Sequence, residues 1–384
     1  MTKAGDESDS HRAPEPRANP HFEGHEAAAE EMLASASSGR IHHAWLITGP
    51  RGVGKATLAL RFARFLLSGG GRADNRPGLF GDEPAPGLDI APQSPVFQRV
   101  AAGGHADLFT LERGFVKEAG KGNDNDDRSR RRSSVIGVDD VRAANSFLTL
   151  TAMEGGWRVI IVDGAEDMNP SAANALLKTL EEPPAHAILL LVSHAPGRLL
   201  PTIKSRCRRL ALGKLPEATV EGLIERYRPD ITGEERRALA MIGDGSIGRA
   251  LQLADAGGLA LYEEMIRLLS GLQQPDVGRL HGALEAIART RNPAGVYEAY
   301  DVFTDLLADW MVRQAAARSR GLEPPEILAG EGEIAARLWN RAGLDQWLEV
   351  WEKITLLFGR AARLNLDRKQ VLLDAFFTLG RTAA

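Results

Sequence analysis

The sequence predicts a parallel α/β domain followed by an all-helical region, and three observations support this. Short apolar strands alternate with amphipathic helices up to about residue 213. A glycine-rich loop joins the first of those strands to a helix, as in phosphate-binding loops. Beyond Leu215 the strand patterns end and amphipathic helices continue toward the C-terminus. We therefore expect a parallel sheet flanked by helices, with ligands at the carboxyl ends of its strands.

Composition and charge are those of an ordinary soluble protein. The 384 residues are 43% hydrophobic, which is enough for two or three domain cores. A net charge of -4 argues against nucleic-acid or membrane binding over the whole surface. No run approaches the roughly 20 apolar residues that span a bilayer, and the first twenty residues lack a signal-peptide core. We expect a cytoplasmic protein.

The first predicted elements lead into and out of the glycine-rich loop. Residues 1–20 are charged and proline-rich, so we predict a disordered tail there. An amphipathic helix is predicted over residues 23–37 and a strand over residues 44–48. The helix after the loop is predicted from apolar residues that recur with a period near 3.6, namely Leu58, Phe62, Phe65 and Leu66.

Two segments lack apolar periodicity and are predicted to be loops. Residues 68–95 are rich in Gly, Pro and Asp and indicate an irregular connector. Residues 117–134 carry acidic residues followed by the arginine-rich stretch 128–132. For this second segment we favour a solvated loop over an arm that touches DNA.

The remaining elements continue the alternation and then become purely helical. Asn169 and Pro170 suit the N-cap and first position of a helix that Pro183 ends. Within the α/β domain we predict a helix over 138–148, a strand over 159–163, a helix over 170–182, and strands over 188–192 and 208–212. Helices are then predicted over 216–227, 233–242, 246–254, 259–272, 277–289, 295–318, 331–342 and 344–364.

The strongest chemical signal is the glycine-rich loop. Such a loop holds nucleotide phosphates with backbone N–H groups, a helix N-terminus and one lysine. Lys55 would pair with the β- and γ-phosphates, and a glycine turn that binds no nucleotide is the alternative. The predicted cofactor-binding residues of the loop are Gly49, Arg51, Gly52, Val53, Gly54 and Lys55.

Two positions depart from a hydrolysing site. Ala56 replaces the usual Ser/Thr ligand of Mg²⁺, so Thr57 offers the next hydroxyl. Asp163 suits an aspartate that positions Mg²⁺ directly or through water, although a strand-terminal Asp can also cap a turn. Gly164 lacks the carboxylate that would activate water, and Glu166 lies outside the strand and is a poor substitute. We therefore predict a site that holds ATP better than it cleaves it.

Two further stretches resemble the bacterial clamp-loader ATPases of the AAA+ class. They are residues 174–184, NALLKTLEEPP, and residues 200–207, LPTIKSRC. The resemblance spans about residues 21–255, and Ala56 and Gly164 resemble the δ′ branch of DNA polymerase III rather than the hydrolysing γ/τ branch. It implies an AAA+ nucleotide-binding-like domain, a helical lid and an oligomerising helical collar, over 21–213, 214–257 and 258–384 respectively.

The resemblance also implies partners and a role in DNA replication. It implies a heteropentamer with γ/τ and δ subunits that opens the sliding clamp and places it on primed DNA. The arginine of the Ser-Arg-Cys motif is an arginine finger in this family, and Arg206 holds that position. A guanidinium can stabilise charge on a phosphoryl group held by a neighbour. An ordinary salt bridge is the alternative for Arg206.

Other positions carry weaker implications. Ser193 ends a hydrophobic strand where the family has a sensor 1 hydroxyl, or it is simply a polar strand end. Gly248 takes the usual sensor 2 arginine position, and the next residue, Arg249, is rotated by about 100° on the helix. We expect no zinc, because one cysteine, Cys207, cannot make the family's four-cysteine ribbon.

Two other functions remain open from the sequence. One is an ATPase motor of the γ/τ type, in which Thr57 supplies the hydroxyl for Mg²⁺ and a nearby carboxylate replaces the absent one. The other is a non-hydrolysing AAA+ adaptor that recruits a helicase or a recombination protein. We favour a stator that activates a neighbouring subunit and has no independent ATPase, with its own site empty or holding ATP and Mg²⁺ statically.

Overall fold

The computed structural model describes residues 14–38, 41–70, 87–113, 135–153, 156–273, 276–290 and 298–383. They form two compact units, one over residues 12–219 and one over residues 220–384. Four predicted features fall wholly or partly outside the described residues: the loop at 117–134 with its arginine-rich stretch 128–132, residues 1–13 of the tail, residues 71–86 of the connector, and residues 295–297 of the helix predicted over 295–318.

The first unit is an α/β layer structure. Its strands are β1 Ala44–Thr48, β2 Leu108–Leu111, β3 Arg158–Asp163, β4 Ala187–Ser193 and β5 Arg208–Ala211. Its helices are α1 Glu26–Ser37, α2 Lys55–Leu67, α3 Pro95–Ala101, α4 Val138–Thr149, α5 Pro170–Glu181 and α6 Pro201–Lys204, and α7 Glu217–Tyr227 crosses into the second unit. The predicted N-cap of α5 is confirmed, because Asn169 accepts a hydrogen bond from the backbone N–H of Ala172.

In the described residues the strands form one parallel sheet in the order β2-β3-β4-β1-β5. The register pairs Thr48 with Ser193 and Asp163 with Val192. The carboxyl ends of β1, β3 and β4 therefore meet at one edge of the sheet, where ligands bind in open α/β folds. This edge brings the glycine-rich loop, Asp163 and Ser193 together.

Alternate residues of the central strands enter two separate cores. Trp45 and Ile47 pack with α2 on one face, whereas Leu46 packs with α4 and α5 on the other. Because both faces are covered, the strands read as continuous apolar runs rather than as alternating ones. The predicted parallel sheet flanked by helices is confirmed.

Residues 17–20 differ from the predicted disorder. Two arginines of α2 hold this segment: Arg61 Nη1 donates to the carbonyl of Pro20 at 2.6 Å, and Arg64 Nη2 donates to that of Asn19 at 2.9 Å. The Arg64 side chain is buried, with 1% of the residue exposed. A buried guanidinium needs acceptors, and backbone carbonyls of this segment supply them.

The labelled secondary-structure elements of the second unit are all helices in the described residues. The unit contains α8 Gly233–Gly243, α9 Ile247–Asp255, α10 Gly258–Ser270, α11 Val277–Arg289, α12 Ala299–Arg318, α13 Glu331–Trp339, α14 Leu344–Leu364 and α15 Arg368–Ala383. Helix α10 packs on α8, α9, α12 and α13, so helices of the predicted lid and of the predicted collar share this unit. Across the described residues, no helix has the length and apolarity that crossing a membrane requires.

Four of the labelled elements were not predicted from the sequence: α3, β2, α15 and the four-residue helix α6. Helix α3 has seven residues and β2 has four, so neither is long enough to show a clear period. Helix α15 buries residues around much of its circumference, including Leu372, Leu373 and Phe376, which obscures a single apolar face.

Candidate nucleotide site and arginine position

The glycine-rich loop connects β1 to α2 with a backbone that its glycines permit. Gly49, Gly52 and Gly54 have φ values of 146°, 72° and 100°, which side chains disfavour. A Cβ atom on Gly49 would also lie 2.2 Å from the carbonyl oxygen of Leu212. The loop thus contains left-handed turns and closely approaches Leu212, the residue after β5, and α2 starts at Lys55.

Lys55 is buried at the start of α2, with 7% of the residue exposed. Its Nζ donates a hydrogen bond to the carbonyl of Pro50 within the loop, at 2.5 Å. Burial lowers the pKa of Lys55, while the carboxylates of Asp163 and Glu166 act in the opposite direction. The lysine is therefore held inside the loop with two carboxylates in electrostatic range.

The other predicted loop residues have different environments. Arg51 and Gly52 are exposed, whereas Val53 and Thr57 are buried. The carbonyl of Val53 lies 3.1 Å from Nε2 of His25, so the residue preceding α1 contacts the loop. The structure brings Thr57 into the first turn of α2 together with Lys55.

Asp163 ends β3 beside this loop and is partly buried. Burial raises its pKa, the carboxylate of Glu112 adds to the rise, and Lys55 opposes it. Burial and Glu112 therefore make the negative charge of Asp163 costly, and the positive charge of Lys55 offsets part of that cost. Among the described residues, no group of three or more His, Cys, Asp or Glu side chains is arranged to hold a metal ion.

Glu166, which the sequence predicts to be a poor substitute for the missing carboxylate, lies close to this site. The left-handed turn at Gly164, with φ 82°, starts a short 3-10 helix, Ala165–Asp167, that carries Glu166. Its side chain is fully buried, and Oε1 accepts a hydrogen bond from the backbone N–H of His194 at 3.1 Å. Oε2 has no hydrogen-bond partner among the described residues. A buried carboxylate within range of Lys55 thus stands one short turn beyond Gly164.

Hydrogen bonds keep Glu166 ionised despite its burial. Burial alone raises the pKa of Glu166, but bonds from its own N–H, the Ser193 hydroxyl and the His194 N–H bring the pKa below its usual value. Ser193 itself is fully buried at the end of β4. The predicted sensor residue, Ser193, therefore contacts Glu166. The only sequence signal for this contact is an acidic residue that follows Gly164 by two positions.

Arg206 lies at the opposite edge of the sheet from Lys55. It precedes β5, whose first residue, Arg208, pairs with Trp45 near the start of β1, whereas the loop follows the end of β1. About 10 Å of strand separates Arg208 from Ala211 at the other edge. Arg206 is therefore placed away from the phosphate loop of its own chain.

The Arg206 side chain is 35% exposed and has two partners. Its Nη2 lies 2.7 Å from Oε1 of Glu181, and its Nη1 donates to the carbonyl of Thr202 at 3.0 Å. The neighbouring residues Ile203 and Cys207 are buried in the core. The salt bridge that the sequence left open is thus present, and the backbone on both sides of Arg206 is anchored.

A family model described as DNA polymerase III, delta subunit, matches residues 24–216, which is half of the chain. The chain belongs to this DNA polymerase III delta subunit family. The matched range contains the positions of Lys55, Asp163, Glu166 and Arg206. The match ends before Arg249, whose guanidinium instead contacts Asp309 of α12 in the helical unit.

Individual relatives agree with the family. The chain is 36% identical to the DNA polymerase III subunit delta′ of Pseudomonas aeruginosa over 64% of its own length and 65% of the relative. It is 30% identical to that of Escherichia coli over 78% and 79%. It is 29% identical to the subunit gamma/tau of Mycobacterium tuberculosis over 85% of this chain and 55% of the relative. The predicted resemblance to the δ′ branch is confirmed, and the match spans less than two thirds of the Pseudomonas and Mycobacterium proteins.

Proposed function

We propose that this protein is a δ′-type clamp-loader subunit that supplies Arg206 to the ATP site of a neighbouring γ/τ subunit. The carrying observation is the placement of Arg206 at the sheet edge opposite Lys55, on a segment anchored by Ile203 and Cys207. A partly exposed guanidinium in that place would serve a phosphate outside its own chain. A trans arginine stabilises charge on the transferring phosphoryl group and makes hydrolysis depend on assembly.

The relatives that are named as DNA polymerase III subunits support membership of a clamp-loader complex. The chain would assemble with γ/τ and δ subunits into a heteropentamer that loads the sliding clamp onto primed DNA in the cytoplasm. Its own helical unit would provide the oligomerisation surface. The chain would have no independent ATPase and would act as a stator.

The state of the chain's own site is part of the proposal. The loop and Lys55 would hold the phosphates of ATP, with Thr57, Asp163 and Ser193 facing Mg²⁺ and the γ-phosphate end. Ala56 gives no hydroxyl to Mg²⁺, and Gly164 gives no carboxylate to water. Bound ATP would therefore remain intact, or the site would stay empty.

Reconstitution with γ/τ, δ and the clamp tests the trans role. Arg206→Ala should assemble normally but lower turnover at the adjacent γ/τ site by about 10³-fold, the usual worth of an arginine finger. The measurement is clamp- and DNA-dependent ATP hydrolysis, followed in single-turnover mode. Arg209→Ala removes an exposed arginine from β5 and is the matched control. Wild-type turnover in an assembled Arg206→Ala complex would rule out the finger.

A second candidate function is an ATPase motor of the γ/τ type. It is favoured by one observation, the buried Glu166 beside Ser193, which could act in place of the carboxylate missing at Gly164. The purified chain would then hydrolyse ATP alone at a rate comparable to the complex, and Glu166→Gln would abolish that rate. Absence of turnover by the purified wild-type chain eliminates this candidate.

A further inference from the structure

We propose that Glu181 is a positioning residue that orients the Arg206 guanidinium for the phosphate of a neighbouring subunit. This inference rests on the proposed trans role of Arg206. Oε1 of Glu181 lies 2.7 Å from Nη2 of Arg206, a charge-assisted contact of ordinary length. Glu181 would not touch the nucleotide and would act through Arg206.

Together with the contacts of neighbouring residues, this ion pair fixes both the backbone and the guanidinium of Arg206. The backbone N–H of Arg206 donates to the carbonyl of Ile203 at 3.1 Å, and the flanking Ile203 and Cys207 are buried. At the other end of the side chain, Thr202 and Glu181 each hold one of the terminal nitrogens. The direction of the guanidinium is therefore set by its own subunit.

Local helix energetics do not explain a glutamate at this position. Glu181 is the last residue of α5, where the helix dipole is negative and acidic side chains are disfavoured. The ion pair offers little stability in return, because half of the Glu181 side chain is exposed and such pairs contribute little. Neither helix stability nor fold stability accounts for a carboxylate at position 181. Its contact with the Arg206 guanidinium does account for it.

Orientation before contact has a kinetic consequence. A free arginine side chain loses rotamer freedom when it binds a phosphate, whereas one already held by its own subunit loses less. This smaller entropy loss lowers the free energy of the transition state, in which Arg206 would contact the transferring phosphoryl group. Loss of Glu181 should therefore lower kcat at the neighbouring site and leave the KM for ATP unchanged.

The test compares substitutions in the reconstituted complex, measured as the part of the turnover that Arg206→Ala removes. Glu181→Ala should lower this Arg206-dependent rate by about 3- to 10-fold. Glu181→Gln should retain most of it, because the amide oxygen still accepts from Nη2. The double variant Glu181→Ala/Arg206→Ala should equal Arg206→Ala, since Glu181 acts only through the arginine. Glu182→Ala, at the exposed next residue, is the matched control.

The outcomes separate this inference from the proposed function. If Arg206→Ala lowers turnover while Glu181→Ala leaves it unchanged or raises it, the positioning role is wrong and the finger stands. Equal losses in Glu181→Gln and Glu181→Ala, a raised KM, or a further loss in the double variant would also overturn the positioning role. If Arg206→Ala itself has no effect, the proposed function fails first.

Discussion

Oε1 of Glu331 accepts a hydrogen bond from the Tyr262 hydroxyl at 2.7 Å in the interior of the helical unit. The same oxygen accepts from Nε1 of Trp310 at 3.0 Å and from Nη2 of Arg313 at 2.7 Å. Oε2 accepts from the backbone N–H of Ile327 at 3.0 Å. A carboxylate with 2% of its residue exposed thus ties α10 and α12 to the start of α13.

We expect Glu331→Ala to destabilise the helical unit strongly. It leaves the Tyr262 hydroxyl and the Trp310 N–H without this buried acceptor. It also removes the charged partner of Arg313, which is partly exposed and keeps its contact with the Tyr262 hydroxyl, so we expect a combined cost of about 3 kcal/mol. Urea unfolding followed by tryptophan fluorescence measures the change. Glu333→Ala, two residues along and exposed, should change stability by less than about 0.5 kcal/mol. Similar stabilities for both variants would contradict the network.

Restoring a glutamate at Gly164 should not create an active site. Gly164 has φ 82°, and a Cβ there would lie 2.9 Å from Oδ2 of Asp167. We expect Gly164→Glu to lower the free energy of unfolding by about 1–2 kcal/mol without producing ATP turnover. Gly164→Ala separates the two effects, because it carries the same backbone strain without a carboxylate. ATP hydrolysis by Gly164→Glu would show that the backbone adapts.

Lys55 should control nucleotide binding by the chain itself. Charge-assisted hydrogen bonds from a lysine contribute about 1.5–3 kcal/mol, so Lys55→Ala should weaken ATP binding by about 10- to 100-fold. Titration of the purified protein with a fluorescent ATP analogue measures the affinity. Lys353→Ala removes an exposed lysine from α14 and should have no effect. Equal affinities for all three proteins, or no binding by any, would show that the loop is only a fold element.

The Cys207 thiol should be unreactive in the folded protein. Burial raises its pKa to about 12, and 8% of the residue is exposed. At pH 8 the thiolate fraction is then about 10³-fold lower than for an ordinary cysteine, and the rate should rise only as the pH approaches 12. Iodoacetamide labelling with and without denaturant, read by mass spectrometry, measures this. Fast labelling of the native protein at pH 8 would mean that the thiol is accessible.

Much of the fold was predictable because its signals are local. The spacing of glycines before Lys55, the N-cap at Asn169 and the apolar run before Asp163 all act over a few residues, and the structure confirms the elements they predict. Helices 277–289 and 344–364 were predicted with the bounds that the structure shows, since each has one clear apolar face. Elements such as β2, which has four residues, gave no such pattern.

The sequence by itself determined the glycine-rich loop, the departures at Ala56 and Gly164 and the arginine motif at Arg206. Only the tertiary structure decided which side chains these residues and their neighbours contact. The left-handed turn at Gly164 and the pairing of β3 with β4 bring Glu166 to Ser193. The strand order and the packing of α5 bring Glu181, the last residue of that helix, into contact with Arg206. These contacts depend on strands paired across distant parts of the chain, and no local pattern encodes such a pairing.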